Sequence, residues 1–129
     1  MKHLFTFLLV AISAVSFAQG NLQFNQVITD AQTFSLGTGG TANTSLLTVP
    51  ADKVWKVESI SDLRSVATSV GFDTYLIING VVFNAAVVSP INFPIWLKSG
   101  DTVQLRFSVW AGSRTESLYI SIIEFNVVP

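Results

Sequence analysis

The chain has 129 residues, with seven Lys plus Arg against eight Asp plus Glu and a formal net charge of −1. Charged residues make up 12 %, about half the usual share, and no run concentrates positive charge, which argues against nucleic acid as a partner. There is no cysteine and the only histidine is His3. Disulfides, thiolate nucleophiles and lipid anchors on cysteine are therefore excluded, and beyond His3 so are imidazole zinc sites and Ser-His-Asp catalysis.

The first eighteen residues form the first element. Lys2 and His3 precede an apolar run from Leu4 to Ala11, and Ser16-Phe17-Ala18 stands before Gln19. A positive start, a short hydrophobic stretch and a small-x-small site describe a secretory signal peptide cleaved after Ala18. The run is too short to span a bilayer. The expectation is a secreted or periplasmic protein, with cell-surface association as a further option. Residues 19–129 suit a single domain with one core. A transmembrane β-barrel would need eight strands of about ten residues and leave nothing for turns. No membrane span is expected.

Leu22 to Thr29 and Ser45 to Val49 read as strands, with Gly37-Thr38-Gly39-Gly40 as a flexible loop between them. Val49-Pro50-Ala51-Asp52 is a turn leading into a strand from Lys53 to Ile60. There Trp55 and Val57 face the core, while Lys56 and Glu58 face away. In Phe72 to Ile78, Phe72, Thr74, Leu76 and Ile78 share one face; Asp73, Tyr75 and Ile77 share the other. Both faces are partly apolar, so the strand is central or lies under another chain. Asn79-Gly80 between apolar runs predicts a type I′ hairpin, which needs positive φ twice. Phe93 to Lys98 is a short strand in which Pro94 marks an edge or a bulge. Lys98 to Asp101 is a hairpin turn. Thr102 to Trp110 then alternates, with Val103, Leu105, Phe107 and Val109 on one face and Gln104, Arg106 and Ser108 on the other. Ala111 to Glu116 is a polar loop, and Leu118 to Val127 is the closing strand. Seven to nine short strands of this kind predict an all-β, antiparallel β-sandwich of jelly-roll-like form.

Two stretches carry a resemblance. Val49-Pro50-Ala51-Asp52-Lys53-Val54-Trp55-Lys56-Val57-Glu58-Ser59-Ile60 and Ile120-Ser121-Ile122-Ile123-Glu124-Phe125 resemble segments of small, uncharacterised secreted β-domain proteins of Bacteroidota. That likeness implies a compact β domain and transfers no catalytic residue. Leu97, Gly100, Asp101, Val103 and Leu105, within Trp96 to Leu105, are similar to the late Leu-x-x-Gly-Asp-x-Val-x-Leu strand pair of tumour-necrosis-factor and complement C1q jelly rolls. That similarity implies trimeric assembly and protein partners.

Chemistry has few candidates. A carboxylate pair for glycoside hydrolysis must straddle a cleft, and Glu58, Asp62, Asp73, Glu116 and Glu124 read instead as solvated strand-face or turn residues. Calcium would need Asp30, Asp52, Asp62, Asp73 and Asp101 to converge, yet there is no Asp-rich loop; Asp101 reads as a turn residue bonded to its own backbone. No cofactor or metal is expected. Asn43-Thr44-Ser45 matches a glycosylation acceptor and reads as incidental in a bacterial protein. The partner or ligand surface is expected at Trp110, Tyr75, Ile77, Trp96, Arg114 and Tyr119, where aromatic or apolar groups oppose the core stripe or flank a loop. The expected function is a secreted, non-enzymatic structural or interaction module. It would assemble as a homo-oligomer or bind an extracellular protein. The alternative is a carbohydrate-binding module with Trp110 beside Arg114 and Glu116.

Overall fold

A computed structural model of the chain describes residues 21–61, 71–84 and 92–128. These residues contain nine strands: β1 (Asn21–Leu36), β2 (Thr41–Asn43), β3 (Leu47–Thr48), β4 (Lys53–Ile60), β5 (Phe72–Ile78), β6 (Val81–Asn84), β7 (Ile95–Lys98), β8 (Thr102–Val109) and β9 (Arg114–Val128). They form two antiparallel sheets. Sheet A runs β1-β9-β4-β7, and sheet B runs β2-β8-β5-β6 with β3 also paired to β8. Four pairs are nested: β1 with β9, β2 and β3 with β8, β4 with β7, and β5 with β6. Contacts of β4 with β9 and β5 with β8 close the ribbon into sheets.

The core follows from strand alternation. Val103, Leu105, Phe107 and Val109 of β8 are buried, as are Phe72 and Leu76 of β5. Sheet A contributes Trp55, Val57, Leu97, Leu118, Ile120 and Ile122. Phe72 meets Phe107 edge-on, with centroids 5.6 Å apart. Each large apolar side chain buried this way is worth about 1.5–3 kcal/mol, and no disulfide supplements it.

Thr74 lies in this core at 0 % exposure, and its hydroxyl has no hydrogen-bond partner. An unsatisfied buried hydroxyl costs roughly 1–3 kcal/mol. Thr74→Val is therefore expected to raise stability by about 1 kcal/mol in urea denaturation. An equal or lower midpoint would contradict this.

Several expected boundaries move. β1 is sixteen residues long, and β9 begins at Arg114, inside the stretch expected as a polar loop. Hydroxyl pairs across the strands, Thr33 with Ser117 and Ser35 with Thr115, each 2.8 Å, make this polar extension a paired ladder. The strand expected over Ser45 to Val49 shrinks to Leu47–Thr48 because of Thr44. That residue is buried; its N–H donates to the Leu105 carbonyl and its Oγ1 accepts from the Leu105 N–H, both at 2.9 Å. The hydroxyl takes the place of a ladder carbonyl, so β2 and β3 are two pieces of one edge strand.

The Lys98–Asp101 turn is not a hairpin, because β7 lies in sheet A and β8 in sheet B. It carries the chain between sheets. Asp101 Oδ2 accepts from the Lys98 N–H at 2.8 Å, and Oδ1 accepts from Asn79 Nδ2 at 3.0 Å. These bonds, the Lys98 N–H foremost, hold the Asp101 carboxyl below its usual range. Asn79-Gly80 forms the expected hairpin, with φ of 51° and 78°. Pro94 precedes β7, which is an edge strand of sheet A.

Candidate functional site

Burial of Trp55 and Val57 turns Val54, Lys56 and Glu58 to the outer face of sheet A. Burial of Ile120 and Ile122 likewise turns Ile123, Phe125 and Val127 outward on β9. Register aligns these residues in rows. One row is Phe24, Phe125, Val54 and Lys98; the next is Val27, Ile123, Lys56 and Trp96. Leu22 and Val127 extend the patch at one end. Phe24 is 63 % exposed and Trp96 53 %. The Trp96 and Phe125 rings lie 5.7 Å apart at an angle of 32°. Lys56 Nζ stands 5.8 Å from the Trp96 ring centroid and 2.6 Å from Glu58 Oε1. The ion pair thus holds an ammonium beside an exposed aromatic face.

Beneath one end of this face sits a buried carboxylate. Glu124 Oε2 accepts from Trp55 Nε1 at 2.7 Å, and Oε1 accepts from Asn25 Nδ2 at 2.5 Å and Gln26 Nε2 at 2.9 Å. The register shift between Phe24 and Gln26 makes this possible. The bulge supplies the extra residue, Asn25, whose amide turns to the carboxylate beside that of Gln26. Burial alone would raise the Glu124 pKa; the three donors and the nearby Lys53 ammonium outweigh it and leave the carboxyl below its ordinary value. Lys53 Nζ in turn donates to Asn126 Oδ1.

The expected surface residues fall in three places. Trp96 belongs to the outer face of sheet A, as does Tyr119, which lies further along β9 and is exposed. Tyr75 lies on the outer face of sheet B, where its hydroxyl donates to Asp73 Oδ2 at 3.1 Å. Burial, the Asp73 charge and that bond raise the Tyr75 pKa, against an opposing pull from Arg106. Ile77 points to the same face but is only 6 % exposed, so it offers no open surface. It sits in an interior strand, flanked across the sheet by Gln104 and Val82. Trp110 is 50 % exposed at the end of the sandwich. Arg114 is near it in sequence; its guanidinium carbon lies 5.3 Å from the Phe72 ring centroid. A shallow depression of about 330 Å³ is lined by Ser35, Leu36, Gly37, Ser113, Arg114 and Thr115.

The carboxylates do not meet across a cleft: Glu116 and Glu124 share the inward parity of β9 but stand eight positions, roughly 27 Å, apart. Glu58 faces outward on sheet A, Glu124 inward, and Asp73 outward on sheet B. Asp62 lies outside the described residues, and among those described no three acidic side chains gather where an ion could be held. Phe24, Val27, Ile123 and Phe125 were not singled out from the sequence. The adjacent Ile122-Ile123, with Phe125 and Val127 beyond, was the available signal of a strand that is apolar on both faces.

No protein-family model, curated protein or solved structure matches the chain. The class defined by these observations is an antiparallel two-sheet β-sandwich with an apolar outer face. Among the described residues no helix is long and apolar enough to cross a membrane.

Proposed function

We propose that the chain is a secreted, non-enzymatic interaction module, built as a jelly roll, that self-assembles or engages an extracellular protein through sheet A. The nested order of strand pairs supports the jelly-roll reading, since an eight-stranded roll pairs first with last and works inward once β2 and β3 count as one strand. The pattern of Lys2, the apolar run and Ser16-Phe17-Ala18 supports export. The observation that carries the function is the outer face of sheet A. Leu22, Phe24, Val27, Trp96 and Val127 are exposed there side by side, around the half-buried Val54, Ile123 and Phe125. Contiguous apolar surface of this kind marks interaction sites when it exceeds a few hundred Å².

The test is light scattering during size exclusion at tens of micromolar, with and without added extracellular proteins from the producing cell. A complex in either sample that Trp96→Ser/Phe125→Ser weakens at least tenfold supports the reading. A strict monomer that retains no partner overturns it.

Carbohydrate binding is the second reading. It is favoured by the depression lined by Ser35, Ser113, Arg114 and Thr115, close in sequence to the exposed Trp110. Retention on a polysaccharide panel that Trp110→Ala abolishes would support it; no retention removes it.

A further inference from the structure

β1 is an edge strand of sheet A and the longest strand of the fold. Its other neighbour is absent among the described residues, so one row of its backbone donors and acceptors faces outward. The hydrogen bonds of β9 show which row. The Val127 N–H donates to the Asp52 carbonyl at 2.9 Å, and the Tyr119 carbonyl accepts from the Ser61 N–H at 2.7 Å. Odd-numbered residues of β9 therefore turn their backbone to β4, and even-numbered residues turn it to β1. The β1–β9 register runs unbroken from Gln26 with Glu124 to Leu36 with Arg114. Even residues of β1 thus bond β9, and Val27, Thr29, Ala31, Thr33 and Ser35 present their N–H and C=O groups at the open edge.

Natural edges of this length are guarded by lysine, proline, inward charges or bulges. Asn21–Leu36 has no lysine, arginine or proline. Its one charge, Asp30, lies on the inward face opposite Ile120, a single inward charge along an edge with five outward backbone pairs. Its bulge, at Asn25, lies outside the five outward residues.

We propose that this edge pairs antiparallel with the same edge of a second copy, about a two-fold axis at Ala31. The pairing goes beyond the face contact proposed above: it uses the edge of sheet A, leaves the outer face free, and names a second copy of the chain as the partner. Ala31 is the centre of the five outward residues, so only an axis there uses all of them. Thr29 then faces Thr33 of the second copy and Val27 faces Ser35, with about ten backbone hydrogen bonds across the seam. Asp30 meets the Gln32 amide of the second copy rather than another carboxylate. Within one chain Gln32 Nε2 donates to Asp30 Oδ2 at 3.0 Å and to Ser45 Oγ at 2.7 Å, so at the seam a bond to the second copy's Asp30 would replace the one within the chain. The small Ala31 side chain lets the strands close on the axis. A two-fold normal to the sheet keeps both outer faces on one side and joins two four-stranded sheets into one of about eight strands.

The test uses the exported chain. Wild type is expected at twice the chain mass at tens of micromolar. Ala31→Pro removes an outward N–H that the chain does not use internally, and is expected to run as a folded monomer by circular dichroism. Ala31→Cys adds the only thiol. On the axis, its Cα would lie about 5.5 Å from its counterpart, within disulfide range. Mild oxidation is then expected to give a covalent dimer at least tenfold faster than Thr29→Cys, whose thiol faces Thr33. A wild-type monomer or trimer, or equal cross-linking of the two cysteine variants, overturns the edge pairing. Trp96→Ser/Phe125→Ser separates the two readings. Loss of the dimer there but not in Ala31→Pro places the contact on the face, overturning the edge pairing and sparing the proposed function.

Discussion

Gly71→Ala is expected to cost about 3–5 kcal/mol of folding stability. Gly71 has φ +81°, where a β-carbon costs about 1–2 kcal/mol by itself. A β-carbon there would also lie 2.4 Å from the Ala111 carbonyl oxygen. Neither backbone can easily withdraw. The Gly71 carbonyl accepts from the N–H groups of Trp110 and Ala111, at 2.8 and 3.0 Å, and this junction clamps the start of β5 to the end of β8. Gly80→Ala is the control: its φ is +78°, yet its β-carbon would meet nothing within 4 Å. It should cost about 1 kcal/mol, the conformational part alone. In thermal melts the Gly71 variant should fall by more than about 10 °C. Equal losses for the two variants would mean that the close approach at Ala111 carries no weight.

The second large effect is at Glu124. Glu124→Ala strands the buried Trp55 N–H and the Asn25 and Gln26 amides, and is expected to cost about 3 kcal/mol. Glu124→Gln should cost less, since one oxygen remains to accept, while its NH₂ confronts donors. The pH dependence has a defined sign. The folded pKa is depressed, so the ionised carboxylate contributes stability that is complete above its ordinary value of 4.5. That contribution is lost as pH falls through the lower folded value. Urea midpoints measured from pH 6 down to pH 3 should decline more steeply in wild type than in Glu124→Gln. Parallel profiles would show that this carboxylate is not linked to folding.

Local pattern and long-range pairing were unequally legible in the sequence. The alternation of β8, the inward Trp55, the Asn79-Gly80 hairpin and the exposed Trp110 could be read from neighbouring residues, because a strand's two faces and a turn's φ values are local properties. Glu124 could not. It reads as a solvated carboxylate until Trp55, 69 positions away, and Asn25, 99 positions away, are brought to it, the latter through a bulge with no sequence mark. Thr44 breaks an edge strand by offering its hydroxyl to a backbone 61 positions distant. The apolar outer face of sheet A was missed for the same reason. Phe24 and Trp96, exposed, and Phe125, half-buried, are single aromatics in the chain and become a patch only when β1, β9 and β7 take their places.

The nested pairing also orders events in time. β9 is the sole neighbour of β1 among the described strands, and the main neighbour of β4, whose other partner is the four-residue β7. Sheet A therefore cannot close until Arg114–Val128 has emerged from the ribosome. Joining the first strand to the last closes a loop of nearly the whole domain, the kind of topology that folds in milliseconds to seconds rather than microseconds. A nascent chain of this design therefore keeps its first strand unpaired until its last fifteen described residues are available to cover it.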